Sequence, residues 1–535
     1  MARYTVQAIW SGIAASQYFA SAGQSLATLG IDPDLPISDS VGDRLAAGAL
    51  RPSGYATFSA PAIVSTAPYA IITTPKNTNI YALLMNGRLI SYNSSFGSET
   101  LISAIPSCTS DGTFGVYYNN YIYVGTTTDI SRYGPLSDTP ALTNSIWTGS
   151  TLGSQTALTN TSYPRIRGTV GRLPNRPMFV HGDNKLYMGD FKNGQGLIHA
   201  IKTTKTTYEG DTNDGSAYNV LDLPFGYMPT CIGSLGNDLV IGAIQTTDGT
   251  IAQGKASLFF WDTFNDSFYL QVPVPDPMVT ALVNNNGYLY VFSGTTSNGT
   301  DVSNGYRVSR YLGGQTLEQV FYSNSGMSPL IGAVDAVGEK VVWGTFEQLQ
   351  STTASSPEYY ATVMSFASKD SRLPGGMQAI VNARAVTSSS EGVVTAVKNL
   401  QQSSFSFPKF VVGWSDASGG GLDRQSTTYG TAVWRSQMIN VGEKSVIKRI
   451  HIPLAAAVGS NMTITPKVFV DDFTSSSTLG LTVINNTNFP NSERSVTYYP
   501  DIASNHNFCL EIRWTGSALL PVLLPITIDF DVFQE

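Results

Sequence analysis

The side chains best suited to proton transfer near neutral pH are four histidines, His181, His199, His451 and His506. They are scattered, and none stands in an HxH or HExxH spacing, so they do not form a zinc or metalloprotease pattern. Each is expected to be structural or exposed. Two carboxylate pairs, Asp262 with Asp266 and Asp471 with Asp472, have the composition of an acid and a base. Asp262 and Asp266 flank a turn between apolar segments, where aspartate serves by accepting backbone hydrogen bonds, so a turn role is expected. The run Glu209-Gly210-Asp211-Thr212-Asn213-Asp214-Gly215 resembles a calcium loop, but its glycine falls one place too early for the EF-hand pattern. A solvated turn is the simpler reading. Ser110-Asp111-Gly112-Thr113-Phe114 is a distant echo of the sialidase Asp box and reads as a hairpin turn. Cys108, Cys231 and Cys509 lie far apart without CxxC spacing, which fits buried thiols in a reducing compartment. No GxSxG elbow, Walker loop or dinucleotide fingerprint occurs. The sequence therefore predicts no catalytic, cofactor-binding or metal-ligating residue and no cofactor. It predicts a protein that is not an enzyme.

The elements that would have to position any such group are strands. Asn284-Asn285-Asn286-Gly287-Tyr288-Leu289-Tyr290-Val291-Phe292-Ser293-Gly294 is a tight turn followed by a short apolar strand closed by glycine. Variants recur at Asn119–Gly125, Asp183–Gly189, Gly236–Gly242 and Gly338–Gly344, with looser copies around Ile80 and Val411. Aligned on their first apolar residue, these copies are spaced 42 to 70 residues apart. A period near fifty with one hairpin per repeat predicts a β-propeller. The repeated strand and its predecessor should be the two inner strands of each blade, with the glycine placed where blades crowd together. Asn86-Gly87, between Tyr81–Met85 and Arg88–Tyr92, reads as a type I′ turn. Outer hairpins are expected around Asn265-Asp266 and Gly313-Gly314.

Length and composition set the frame. At 535 residues the chain exceeds one ordinary core. Fifty glycines, 11% aromatic residues and only 13% charged residues suit short strands joined by many turns. A net charge of −7 offers no footprint for gripping nucleic acid, and the sparse charge favours contact with other protein copies. The reading is all-β: a β-propeller of six or seven irregular blades over 56–425, a C-terminal β-sandwich over 426–535, and an N-terminal arm over 1–55 in which Ala8–Leu29 has partly helical composition. The boundary between propeller and sandwich is placed near Ser418-Gly419-Gly420-Gly421. Ala20-Ser21-Ala22 looks like a signal-peptidase site, but Gln7, Ser11, Ser16 and Gln17 interrupt the preceding run, so secretion is not expected. No stretch approaches eighteen uninterrupted apolar residues, so no membrane span is expected.

This order of parts resembles tail proteins of double-stranded DNA bacteriophages, in particular the nozzle or tail-hub proteins of short-tailed phages. Two segments carry the likeness. One is Gly42-Asp43-Arg44-Leu45-Ala46-Ala47-Gly48-Ala49-Leu50-Arg51 with Pro52-Ser53-Gly54-Tyr55. The other is Val433-Trp434-Arg435-Ser436-Gln437-Met438-Ile439-Asn440-Val441-Gly442 leading to Lys448-Arg449-Ile450. The resemblance implies a non-enzymatic virion component, assembled in the host cytoplasm, that forms a ring with its own copies around the DNA channel. Its other partners would be neighbouring tail or adaptor proteins, with no sequence-specific nucleic acid. Two alternatives stand beside it. One is an adhesin or receptor-binding module that takes a host surface glycan. The other is a propeller glycoside hydrolase, which needs carboxylates converging in a central pocket.

Overall fold

The computed structural model describes residues 2–6, 12–13, 24–25, 27–29, 54–57, 68–74, 79–84, 87–92, 99–104, 114–126, 129–147, 176–202, 219–247, 250–294, 305–323, 328–337, 340–349, 358–367, 377–381, 393–400, 409–416, 419–426, 432–440, 444–455, 457–471, 479–490, 493–516 and 523–533. Among them strands dominate, and the helical element is a single 3-10 turn, Ile331–Ala333. The chain divides into two compact units. One combines residues 1–57, 349–386 and 424–535, and the other combines 58–348 and 387–423.

The second unit is a series of antiparallel meanders. The first runs Pro68–Thr73, Ile80–Leu84, Arg88–Tyr92, Glu99–Ala104, and the second Phe114–Tyr118, Tyr121–Gly125, Ile130–Gly134, Ala141–Trp147. The third is Met178–Val180, Lys185–Lys192, Gln195–Lys202, Asn219–Phe225, and the fourth Tyr227–Leu235, Asp238–Thr247, Thr250–Trp261, Leu270–Val274. The fifth is Met278–Asn285, Tyr288–Gly294, Tyr306–Gly313, Thr316–Ser323. A sixth begins with the hairpin Val334–Val337 and Lys340–Leu349, and a seventh has Val393–Leu400, Lys409–Asp416 and Gly419–Ser426 in order.

The recurrent strand occupies the same place each time. Ile122, Leu186, Leu239, Leu289, Val341 and Val411 all lie near the start of the second strand of their meander, and all are buried. The first strands make contact in a closed circuit. Pro68–Thr73 touches Phe114–Tyr118, which touches Met178–Val180. The succession runs on through Tyr227–Leu235, Met278–Asn285, Val334–Val337 and Val393–Leu400, and the last of these touches Pro68–Thr73 again. This is the serial, propeller-like arrangement that the repeat predicts.

The expected strand-ending glycine closes the strand at Gly125 and Gly294, whereas Gly189, Gly242, Gly344 and Gly413 lie inside longer second strands. All six sit where the next meander's first strand, or the residues leading into it, comes closest. A Cβ on Gly125 would lie 2.8 Å from Arg176 Cβ, and one on Gly189 2.8 Å from Pro229 Cβ. At Gly242 it would meet Val279 Cγ1 at 2.8 Å, and at Gly294 Ser328 Cβ at 2.8 Å. At Gly344 it would overlap Val394, and at Gly413 it would meet Pro68 Cβ at 2.9 Å, across the junction that closes the circuit. Contacts this short leave no room for a methyl group. The hydrophobic clusters also span successive meanders. Tyr187, Ile198 and Leu221 of the third pack with Leu239, Phe259 and Trp261 of the fourth, and Ala396 and Val411 of the seventh pack with Ile71 and Ile80 of the first.

Turn chemistry follows the asparagines. Asn119 and Asn120 have φ of 43° and 70°, and Asn286 and Gly287 have 51° and 80°. Both are two-residue connections with the pair of positive φ angles of type I′ turns. Of the expected Asn86-Gly87 turn, Met85 and Asn86 lie outside the described residues; Gly87 has φ 77° and its N–H donates to Leu84 O at 2.9 Å. The fourth meander's last strand starts at Leu270, so the outer connection expected at Asn265-Asp266 runs over 262–269.

The first unit corrects the expected arm. Ala2–Val6 pairs antiparallel with Ile526–Val532, with Ala2 opposite Phe530. Ala27–Leu29 pairs antiparallel with Ala432–Arg435, while Leu29 pairs in parallel with Ala379. Gly12–Ile13 pairs in parallel with Gln24–Ser25, so the described residues of the alanine-rich run are strands, not helix. Extended segments leave a row of backbone donors and acceptors open, and the C-terminal strands supply the partners. The N-terminal stretch and residues 349–386 therefore belong with the C-terminal strands, and the division 1–55, 56–425, 426–535 is regrouped.

Two sheets of this unit share one core. The first orders Ala2–Val6, Ile526–Val532, Ser445–Pro453 and Ser495–Tyr498. The second includes Ala432–Arg435, Asn507–Gly516 and Met462–Val470. Ile447, Ile450 and Ile528 from one meet Trp434, Ile464, Ile512 and Trp514 from the other in a single buried cluster.

Candidate functional site

The third and fourth meanders join two turns into one cluster. In the third, the connection Gly182-Asp183-Asn184 carries Asn184 at φ 61°, with the His181 N–H donating to Lys185 O at 3.0 Å. His181 is buried. Its Nδ1 lies 3.1 Å from Asp183 Oδ1, and its Nε2 is buried with no hydrogen-bond partner among the described residues. Asp183 Oδ1 also accepts from Lys185 N at 3.1 Å, and Asp183 Oδ2 accepts from the Tyr187 hydroxyl at 2.6 Å. Burial, followed by the hydrogen bond to Asp183, drives the Tyr187 phenol far above its usual range.

Tyr187 carries the cluster into the fourth meander. Its ring stands edge-on to Trp261 at 5.8 Å between centroids, and its phenol lies beside the Thr263 side chain. Thr263 has φ 66°, a conformation in which a β-branched residue is a true outlier. Strain of this kind persists only where surrounding contacts over-determine it. Here they do. Asp262 Oδ1 accepts from Phe264 N and Asn265 N, both at 3.0 Å, and its Oδ2 accepts from the Asn265 amide. The Trp261 indole donates to Asn265 O at 2.6 Å. The Asn265 and Phe264 backbone donors hold the Asp262 carboxyl below the ordinary carboxylate range. The pinned turn holds Phe264 out in solvent at 88% exposure. Beside it Tyr269 donates its hydroxyl to Asp238 Oδ2 at 2.6 Å. Burial, then the contact with Asp238, raises the Tyr269 phenol well above its usual range.

A second polar cluster is wholly interior. Arg176, Asp190 and His199 are buried, with the Arg176 guanidinium on Asp190 and His199 Nε2 3.2 Å from Asp190 Oδ2. Arg176 Nε also donates to Thr126 O at 2.9 Å, and the Thr126 hydroxyl donates to Asp129 at 2.6 Å. A histidine–carboxylate pair is the kernel of many acid–base sites, but here an arginine neutralises the carboxylate and ties it to the second meander. The group stitches two meanders together.

The other candidates fall apart in space. His451 lies on the sheet strand Ser445–Pro453 with Nδ1 2.9 Å from Thr497 Oγ1. Asp471, itself at φ 58°, receives the N–H groups of Asn505, His506 and Asn507, so it caps a turn. Cys231 and Cys509 are buried. Glu209–Gly215, Ser110–Thr113, Cys108 and Asp472 lie outside the described residues. Among the described residues no group of three His, Cys, Asp or Glu side chains could hold a metal ion. The structure thus brings the turns of His181 and Asp262 together through the edge-on contact of Tyr187 with Trp261, with Asp266 exposed on the second turn. Nothing in the spacing of those residues foretells the link. The one sequence signal is the Asp262-Thr263-Phe264-Asn265 tetrad, an aspartate placed to take the next two turn amides.

No family model matches the chain, and no curated protein matches it. Among solved structures it is similar to hydrazine synthase of Kuenenia stuttgartiensis, at 11% identity and a TM-score of 0.37 over 57% of this chain and 77% of that one. It is also similar to a Dos1 propeller, at 14% identity and a TM-score of 0.39 over 70% of this chain and 95% of that one.

Proposed function

We propose that the chain is a non-catalytic structural component of a bacteriophage tail, assembling with its own copies and with neighbouring tail proteins into a ring around the DNA channel. In this reading the circuit of first strands makes the second unit a seven-bladed β-propeller, and the two sheets that share a core make the first unit a β-sandwich. The observation that carries the reading is how the chemistry-bearing residues are used. Asp262 and Asp471 accept turn amides, Asp190 and His199 are locked under Arg176, and Cys231 and Cys509 are core thiols. Each is committed to holding the scaffold. The sparse charge, 13% of residues with a net of −7, suits close contact between copies and weak interaction with passing DNA. Large apolar side chains also face solvent on the first unit, with Tyr499 at 73% exposure and Phe533 at 52%.

The test is the assembly itself. Electron microscopy and mass measurement of the purified full chain should reveal closed rings with a single rotational axis, as heterologous contacts that close produce. A chain that stays monomeric at every concentration and hydrolyses a polysaccharide would overturn the proposal.

A further inference from the structure

We infer that the outer turn of the fourth meander, residues 262–269, is a docking point for a cationic polypeptide segment, whose lysine or arginine side chains lie across Phe264 and Tyr269 towards the carboxylates of Asp238, Asp262 and Asp266. The inference stands on the geometry of this turn and goes beyond the assembly reading.

Three observations converge. Phe264, at 88% exposure, is held there by a turn whose backbone is fixed at three points: two amides on Asp262 and the Trp261 indole on Asn265. A phenyl ring presented on a strained, fully tied turn is preorganised, and preorganisation lowers the cost of binding. A second exposed aromatic ring belongs to the same turn. Tyr269 is 57% exposed and is joined to the same strand through its N–H on Phe260 O.

The charges decide the kind of partner. Asp238, Asp262 and Asp266 all belong to this turn or to the strand that meets it through Tyr269. The nearby cations are already paired: Lys185 lies 3.7 Å from Asp183, and Arg310 holds Glu318 at 2.6 Å while covering the Tyr288 ring. The surplus is negative, and it surrounds aromatic faces, which attract ammonium and guanidinium groups. A sugar would need free directional acceptors. Asp262 already receives three donors from its own turn and Asp238 receives the Tyr269 hydroxyl, so what these two groups still offer is chiefly charge. DNA is repelled by the same carboxylates. A lysine stem, apolar along its length with a cation at the tip, fits both halves of the surface.

The experiment uses the full chain and a fluorescein-labelled hexapeptide of alternating lysine and leucine, read by fluorescence anisotropy. Its counterpart alternates glutamate and leucine, and maltohexaose serves as a neutral competitor. The lysine peptide should bind, more weakly as salt rises, and Phe264→Ala should weaken it by at least about tenfold, as loss of an interface anchor does. Asp266→Asn should weaken it several-fold. Phe225→Ala, which removes another solvent-facing ring (76% exposed) at a different turn, should leave it unchanged. Thermal unfolding of the Phe264 variant should match the parent, because the ring is exposed. Equal affinity of parent and Phe264→Ala, preference for the glutamate peptide, or displacement by maltohexaose would each overturn the inference.

Discussion

Replacing Gly242 by alanine tests whether the glycine that recurs in the second strands is a spacer between meanders. An added Cβ would lie 2.5 Å from Cys231 Sγ, 2.8 Å from Val279 Cγ1 and 3.3 Å from Val279 Cβ. Comfortable carbon contacts are about 3.5–4.0 Å, so Met278–Asn285 would have to retreat by roughly 1 Å along a packed interface. Cys231 and Val279 are fully buried and have nowhere to swing. Overpacking of this kind costs about 1–3 kcal/mol, while the loss of unfolded-chain freedom from glycine to alanine returns about 0.4–1 kcal/mol. The overlap wins, and a net destabilisation of about 1–2 kcal/mol is expected. The comparison is Gly182→Ala, where nothing lies within 4 Å of the new methyl group. That variant should be neutral or slightly stabilising. Because a chain of two units need not unfold in one step, the readout is local. Hydrogen exchange followed by mass spectrometry should show peptides over residues 278–294 exchanging about 5–30 times faster in Gly242→Ala and unchanged in Gly182→Ala. If Gly242→Ala protects that segment as well as the parent, the second strands do not pack as described.

Further outcomes follow from charges and thiols. The Asp529 carboxyl is held down first by its hydrogen bond from Arg3, with Arg449 adding to it. Burial pulls the Asp471 carboxyl upward, but the amides of Asn505, His506 and Asn507 outweigh it and hold it low. Both contribute stability that is complete above the unfolded carboxyl value of about 3.9 and is lost as pH falls through their lower folded values. Asp471→Asn and Asp529→Asn should therefore flatten the acid limb of an unfolding-midpoint profile and leave the neutral region with a constant offset. In the first unit Arg435 Nη2 meets Glu511 Oε2 at 2.7 Å with both side chains buried. Arg435→Met alone should cost about 3–5 kcal/mol in urea unfolding, and Arg435→Met with Glu511→Leu should recover most of it; additive losses would refute the pairing. Burial pushes the Cys231 and Cys509 thiols up to about 12. A Cys108→Ser chain should then give no reaction with Ellman's reagent when native and two equivalents in urea.

How far the residues spoke for themselves depends on range. Leu186, Leu239, Leu289 and Val341 stand at matching places in their sheets because each follows a turn and begins a strand that is buried along its apolar length, a pattern written within a dozen residues. Gly344 and Gly413 were legible as points of crowding, which their close approach to Val394 and Pro68 explains, but not as interior positions, because their strands run on to Leu349 and Asp416. The pairing of Ala2–Val6 with Ile526–Val532 was not legible, since a short strand carries no address for a partner five hundred residues away. The cluster of the third and fourth meanders was half legible. Asp262 reads as a turn former, but the edge-on contact of Tyr187 with Trp261 joins residues 74 apart, and only the stacking of one meander on the next creates it.

The union of Ala2–Val6 with Ile526–Val532 has a consequence in time. A ribosome adds roughly 5–20 residues per second. About 520 residues separate the two strands, so the first waits on the order of half a minute to two minutes before its partner exists. The second unit can close about 5–20 s earlier, once residue 423 has emerged. During the interval the early strand carries unsatisfied backbone groups in a crowded cell, and on a polysome the nearest available edges belong to sister chains. Whatever shelters that strand while it waits, a chaperone or slow recruitment to the polysome, governs the yield of correctly paired molecules. A heterologous host that translates quickly and crowds its ribosomes should convert that delay into swapped dimers.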